Sequence, residues 1–503
     1  MNLLSKNISA NLFSNVWLTV VMLAVTPFYI SFLGVESYGL IGFYLSWVAI
    51  LGILDTGISA TAIREIAWLE ARPEELKRIP VLLKSLEVVY WGIILVIGSV
   101  ILAGAWFYGA EWFQLKDLRP EVVRVVLMLM AISLVLQVPS GLYIGGLIGS
   151  QRQVECSGLL AFFGTLRAIG SILVLWLLSP DIRIFFLWHI FASILQTGVM
   201  RWSLWRKFSK GGHSAKVSLD ILRSIKGFAG TMMLITFLGM LMTQADKLIL
   251  SRILTLEKFG FYMLAWTLAS GMSRAVTPLV QAFSPRFTNL VSKGEEEQLS
   301  RHVRVASQLI STLIIPPTAL VVFLSNPILS VWLGSDTTAE GAAPILTIMV
   351  IGTAFVCCSF PALSILYSKK RLKPVVTINL SCLVVLLPLF ILLSSYFGAI
   401  GAAYIWCLYG LILYVAYQSY GLSGLPETGF LISILRDLFC PSVVSFAIAG
   451  IAGYLLNDLN NKIIFVFLLI LTLLFGWFAA ALACKDLRKI VIEKWNWKTK
   501  VIL

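Results

Sequence analysis

Five ionisable side chains fall deep inside long apolar runs: Asp55, Arg167, Asp246, Lys247 and Arg274. An isolated charge at mid-bilayer depth costs at least ~2.5 kcal/mol, so such residues face a bundle interior or a hydrated cavity. At a rise of about 1.5 Å per residue, Arg167 lies about 20 Å along its helix, Arg274 lies a similar distance along another, and Lys247 sits in the outer half of a third. Arginine can bind one anion through two parallel hydrogen bonds. Asp246 and Lys247 are sequence neighbours and point about 100° apart on a helix. They are expected not to neutralise each other, and each then needs its own partner, a wet cavity or a ligand. Asp55 and Arg274 lie at nearly equal depth on the cytoplasmic side of the midplane, which suits a gate. The same charges also fit permanent ion pairs, Arg274 with Asp55 and Lys247 with an acid on a neighbouring helix.

Other chemistries find no residues. The seven cysteines are scattered without a CxxC pair, so neither a disulfide framework nor a metal set is expected. His189, in an apolar helix, is expected to be a satisfied core residue. No GxxxxGK[ST] run occurs, so ATP hydrolysis by that route is not expected. Coupling to H+ or Na+ through Asp55 or Asp246 stays open, and no cofactor is expected.

The elements that hold these residues are membrane helices. Hydrophobic residues make up 59% of the 503 and charged residues only 13%, against roughly 25% charged in soluble domains. Apolar stretches long enough to cross a core of about 30 Å recur at 9–33, 37–66, 80–108, 121–148, 154–179, 183–205, 227–253, 257–290, 303–330, 342–367, 374–397, 399–421, 433–456 and 461–484. The expected fold is therefore an all-α integral membrane protein of about fourteen spans. Lys and Arg crowd one set of ends, as at Arg72–Arg78, Arg201–Lys226, Lys369–Lys373 and Lys485–Lys500. By the positive-inside rule both termini are expected in the cytoplasm. This bias accounts for the net charge of +14 without nucleic acid, and basic loops also attract anionic lipid heads. Pro27, Pro139, Pro278, Pro285, Pro361 and Pro388 fall inside or near the ends of spans, where they bend helices.

A repeat runs through the chain. "FLGVESYGLIGFYLS" (32–46) aligns with "ILTLEKFGFYMLAWT" (253–267), matching Leu33 with Leu254, Glu36 with Glu257, Tyr38 with Phe259 and Gly39 with Gly260. "REIAWLEARPEELKR" (64–78) matches "FTNLVSKGEEEQLSR" (287–301) in character, and Pro139 matches Pro361. The spacing stays near 221–223 residues, and six helices separate each pair, so the two copies share an orientation. This predicts a six-helix lobe at 1–210, a cytoplasmic linker at 211–226, a second six-helix lobe at 227–422, and two extra helices with a basic tail at 423–503.

The run "FLGVESYGLIGFYLSWVAILGILDTGISATAIREIA" (32–67) resembles the first helix pair of Wzx-type polysaccharide flippases of the multidrug/oligosaccharidyl-lipid/polysaccharide exporter superfamily. Leu33, Gly34, Glu36, Tyr38, Gly39, Leu54, Asp55 and Gly57 carry the pattern. "QADKLILSRILTLEKFGFYMLA" (244–265) resembles it again, with Leu254-Thr255 in place of Leu-Gly. The resemblance implies a V-shaped, two-lobed carrier in the bacterial inner membrane, not an enzyme. Its implied cargo is an undecaprenyl-diphosphate-linked oligosaccharide repeat unit such as an O-antigen or capsule unit, moved from the inner to the outer leaflet by alternating access. Arg167, Lys247 and Arg274, with Asp246 and Asp55, then line the path of the diphosphate. Tyr44, Trp47, Tyr262 and Trp266 stack on sugars or pack. Other polysaccharide-assembly membrane proteins are the implied partners. A cation-coupled multidrug exporter, a lipid II flippase and a polysaccharide polymerase or ligase are the alternatives.

Overall fold

The computed structural model describes residues 3–208, 217–218, 237, 240, 243–426, 430–456, 459 and 461–489. Among them the chain is helical, with one isolated bridge between Gln114 and Thr255 and no strand. In hydrocarbon every backbone donor and acceptor must be satisfied within the segment, which leaves the helix as the open-ended solution. The expected linker at 211–226 and most of the expected span at 227–253 lie outside the described residues.

The helices are α1 (Leu3–Glu70), α2 (Arg78–Trp112), α3 (Pro120–Gln137), α4 (Ser140–Gly149), α5 (Gln153–Leu177) and α6 (Ile182–Phe208). After the helical stretch 243–253 come α7 (Leu256–Lys293), α8 (Glu296–Leu333), α9 (Asp336–Ser368) and α10 (Leu372–Gly421). A π-turn at Ile434–Phe439 leads into α11 (Cys440–Leu456), and α12 (Lys462–Ala483) follows. Ten helices among the described residues are long and apolar enough to cross a membrane. Two of them are too long for one crossing: the 50 residues of α10 measure ~75 Å at the helical rise, more than twice a bilayer core. The chain reverses inside each at a left-handed glycine, Gly34 (φ 78°) in α1 and Gly398 (φ 60°) in α10. Only glycine takes that backbone without strain. Pro139 sits at the break between α3 and α4, and Pro27, Pro278, Pro285, Pro361 and Pro388 lie within helices.

The chain divides into two compact units, Met1–Gly260 and Phe261–Leu503. In the first, α1 packs on α4 and α5, α2 on α3, and α3 on α6. Lipid removes the usual hydrophobic drive between helices, so close approach through small residues does the work. In α4 the glycines Gly141, Gly145 and Gly149 form a stripe at four-residue spacing against Asp55, Ser59 and Ala62–Ile63 of α1. A methyl added at Gly145 would lie 2.7 Å from the Ser59 carbonyl oxygen, and one at Gly149 would lie 2.9 Å from that of Ile63. In the second unit, α9 packs against α8 and α10, while α11 and α12 lie on α8 through Ala319, Leu320, Leu324, Ala449, Ala452, Leu456 and Phe465. A polar knot supports that seam. Gln308, fully buried, donates to Asp437 and Asp486 at 2.9 Å each and accepts the backbone N–H of Asp486 at 3.1 Å.

Candidate functional site

The repeated turns meet each other. A methyl on Gly39 would fall 2.6 Å from the Leu256 carbonyl oxygen and 3.3 Å from the Gly260 nitrogen. One on Gly260 would overlap the Val35 carbonyl oxygen and lie 2.8 Å from Val35 Cγ1. At the repeat spacing of 221, Val35 corresponds to Leu256 and Gly39 to Gly260. Each copy's glycine therefore receives the other copy's matching residue, the reciprocity of an isologous contact. Gly34 breaks the helix in the first copy through its left-handed φ. Thr255 does so in the second by another means: it pairs with Gln114, and its hydroxyl accepts the Lys258 N–H at 3.4 Å as a weak cap.

The segment between α2 and α3 straps this junction. Gln114 donates to the Ile253 carbonyl at 3.1 Å, and its own carbonyl accepts the Leu256 N–H at 2.9 Å. Glu36, buried, accepts three successive backbone N–H groups, from Lys116 and Asp117 at 2.9 Å and Leu118 at 3.0 Å. Its repeat partner Glu257 takes the Lys116 ammonium at 2.9 Å. The hydrogen bond and charge of Glu257 raise the pKa of Lys116 above its ordinary value. Trp112 donates to Ser251 at 3.0 Å, and Arg252 donates to the carbonyls of Glu111 and Trp112. In the sequence Glu36 and Glu257 are legible only as matched motif positions; the strap joins residues 80 to 141 positions apart, beyond the reach of local pattern.

The deep charges are placed as follows. Lys247 is 1% exposed and folds back on its neighbour: Nζ lies 3.0 Å from both Asp246 oxygens and 2.7 Å from the Thr243 carbonyl. This corrects the expectation that the two do not neutralise each other. Their Cα–Cβ vectors diverge, but the four-carbon lysine stem spans the gap. Asp55 accepts from the Tyr90 hydroxyl at 3.3 Å, and its carboxylate fills the space a side chain at Gly141 would take. Arg274 is exposed on α7 in the second unit.

Arg167, in the first unit, donates to Gln196 at 2.7 Å and, at the 3.5 Å limit, to Ser193. No carboxylate pairs with it among the described residues. Beside it His189 is buried against Phe185, stacked at 4.3 Å, and edge-on to Tyr44 at 5.8 Å. Both ring nitrogens of His189 and Nε of Arg167 are buried without a hydrogen-bond partner. His189 is thus a core residue, as expected, but not a satisfied one.

Of the four deep aromatics, Tyr44 is buried, with its hydroxyl on Ser133 (3.0 Å) and Gln137 (2.7 Å). Tyr262 is fully buried in the second unit, and Trp266 packs edge-on against Trp406 at 4.8 Å. Tyr44 and Trp47 border an apolar cavity of roughly 670 Å³ in the first unit, with Met130 and Leu134 in its wall and Glu111 and Arg252 as its charged members.

The family model "Polysaccharide biosynthesis protein" matches residues 4–291, and the MatE model matches 231–392. A putative O-antigen transporter of Shigella flexneri is 20% identical over 413 residues, covering 80% of this chain and 93% of that protein. The uncharacterized membrane protein EpsK of Bacillus subtilis is 22% identical over 365 residues, 69% of each. Among solved structures, the lipid II flippase MurJ in an inward closed conformation superposes with a TM-score of 0.72 at 13% identity, covering 94% of this chain and 97% of that one. An inward-facing MATE multidrug transporter of the MOP superfamily gives 0.63 at 10% identity, covering 84% and 95%. The fold is that of these transporters. The polysaccharide biosynthesis model spans the motifs of the first helix pair, and the chain belongs to the polysaccharide biosynthesis protein family.

Proposed function

We propose that this protein is a flippase that carries undecaprenyl-diphosphate-linked oligosaccharide repeat units from the inner to the outer leaflet of the bacterial inner membrane, with both termini in the cytoplasm. The observation that carries the reading is the family match over residues 4–291 together with a putative O-antigen transporter aligned over 93% of its own length. The physics of the deep residues supports it. A diphosphate head needs positive potential in a low-dielectric path. Arg167 contributes such a charge through neutral partners, while Arg274 stands exposed on α7. Lys247 with Asp246 borders the route. With a negative cell interior, outward movement of an anion gains about 2.3 kcal/mol per charge per 100 mV, a drive that needs no nucleotide.

The test is deletion of the gene followed by analysis of lipid-linked sugars and surface glycan. Accumulation of undecaprenyl-linked repeat units on the cytoplasmic side, with loss of the surface polymer, is expected. Drug hypersensitivity with intact surface glycan would replace this reading by an exporter, and lipid II accumulation by a peptidoglycan flippase.

A further inference from the structure

Nine buried side-chain polar atoms lack a hydrogen-bond partner among the described residues, and three of them belong to Arg167 and His189. Such groups call for an occupant. The guanidinium stays charged in any protein environment, and a half-buried cation without a counter-charge is costly in a helix bundle. Water would satisfy the free N–H groups but leave the charge. An anion does both.

The site limits the anion's size. Arg167 Nη2 is committed to Gln196 at 2.7 Å and Ser193 at 3.5 Å. The buried donors left unspent are Arg167 Nε–H and whichever His189 nitrogen carries the proton. Rings wall the imidazole on several sides, Phe185 at 4.3 Å, Tyr44 at 5.8 Å and Phe186 at 5.9 Å between centroids. Two buried donors beside these rings fit one small ion, whereas a diphosphate ester presents many acceptor oxygens and a bulky tail.

We propose that Arg167 and His189 form a binding site for one small monovalent inorganic anion of halide size, enclosed within the first unit. The assignment stands on these two side chains and does not require the glycolipid reading.

Thermal unfolding of the purified full-length protein tests it, in sodium chloride or bromide against sodium gluconate at equal ionic strength. Halide is expected to raise Tm by a few degrees, and Arg167→Gln and His189→Gln are each expected to weaken halide binding at least about tenfold. Equal Tm in all salts, or a halide shift unchanged in Arg167→Gln, overturns the proposal. Stabilisation by undecaprenyl diphosphate in gluconate with none from halide overturns it too, since the lipid phosphate is then the occupant. Should the variants not fold, bromide anomalous scattering from wild-type crystals decides. A peak within hydrogen-bond distance of Arg167 Nε and the His189 ring is expected, and its absence refutes the site.

Discussion

Alanine at Gly39 or Gly260 probes the reciprocal contact between the repeated turns. At Gly39 the new methyl lies 2.6 Å from the Leu256 carbonyl oxygen, while unstrained carbon–oxygen contacts begin near about 3.3 Å. The turns must therefore part by about 0.7 Å, and overpacking of this kind costs about 1–3 kcal/mol. Replacing a helical glycine returns up to about 1 kcal/mol in backbone entropy, leaving a net loss near ~1 kcal/mol. Gly260→Ala is expected to cost more, because its methyl overlaps the Val35 carbonyl itself. The double variant is the informative one. One separation relieves both clashes, so it is expected to be no less stable than Gly260→Ala alone, a coupling of about 1–2 kcal/mol and within the range for residues in contact. Gly92→Ala, with open space around it, is the control and is expected to be neutral or slightly stabilising. Unfolding of the purified protein in mixed micelles, followed by tryptophan fluorescence, measures all four. Single variants as benign as Gly92→Ala, or a double variant equal to the sum of the singles, would refute the reasoning.

Gln308→Ala removes a side chain that satisfies Asp437, Asp486 and a backbone amide in a closed interior. With about 1–3 kcal/mol at stake per orphaned group, α11 and α12 are expected to loosen first, read as earlier proteolysis after Leu456. Lys247→Met removes the ammonium that lies 3.0 Å from both Asp246 oxygens and is expected to destabilise by about 3–5 kcal/mol, whereas Asp246→Asn/Lys247→Met together is expected to recover much of that loss in the same unfolding assay; a double variant as damaged as the single would argue against the pair. For Lys116 the folded pKa is raised, so its pairing with Glu257 contributes in full below the unfolded lysine value of about 10.4 and fades as pH rises through the folded value. The stability difference between wild type and Lys116→Met is thus expected to hold constant through neutral pH and shrink above about pH 10.

Much of the fold was legible because membrane solvation writes it in composition: charge depletion marks the crossings, and the matched Glu36/Glu257 and Gly39/Gly260 mark the duplication. Contacts made by long side chains across sequence were not. Lys247 reaches Asp246 through its rotamers, which a helical wheel does not encode. His189 reads in sequence as one polar residue among apolar ones; only the placement of the rings around it reveals that its nitrogens find no partner. The strap depends on α2 ending beside residues 251–257, a fact of topology alone. Tyr44 and Tyr262 show the converse, since aromatic identity and depth suit a ligand platform and a core filler equally.

The meeting of Val35, Gly39, Leu256 and Gly260 has a consequence for how this sequence can vary. Where a duplicated surface touches its own image, a bulkier residue in one copy intrudes on the other, and relief must come from the partner turn. The two halves are free to diverge along most of their length, as Thr255 opposite Gly34 illustrates. At these four positions they are bound to drift together or not at all.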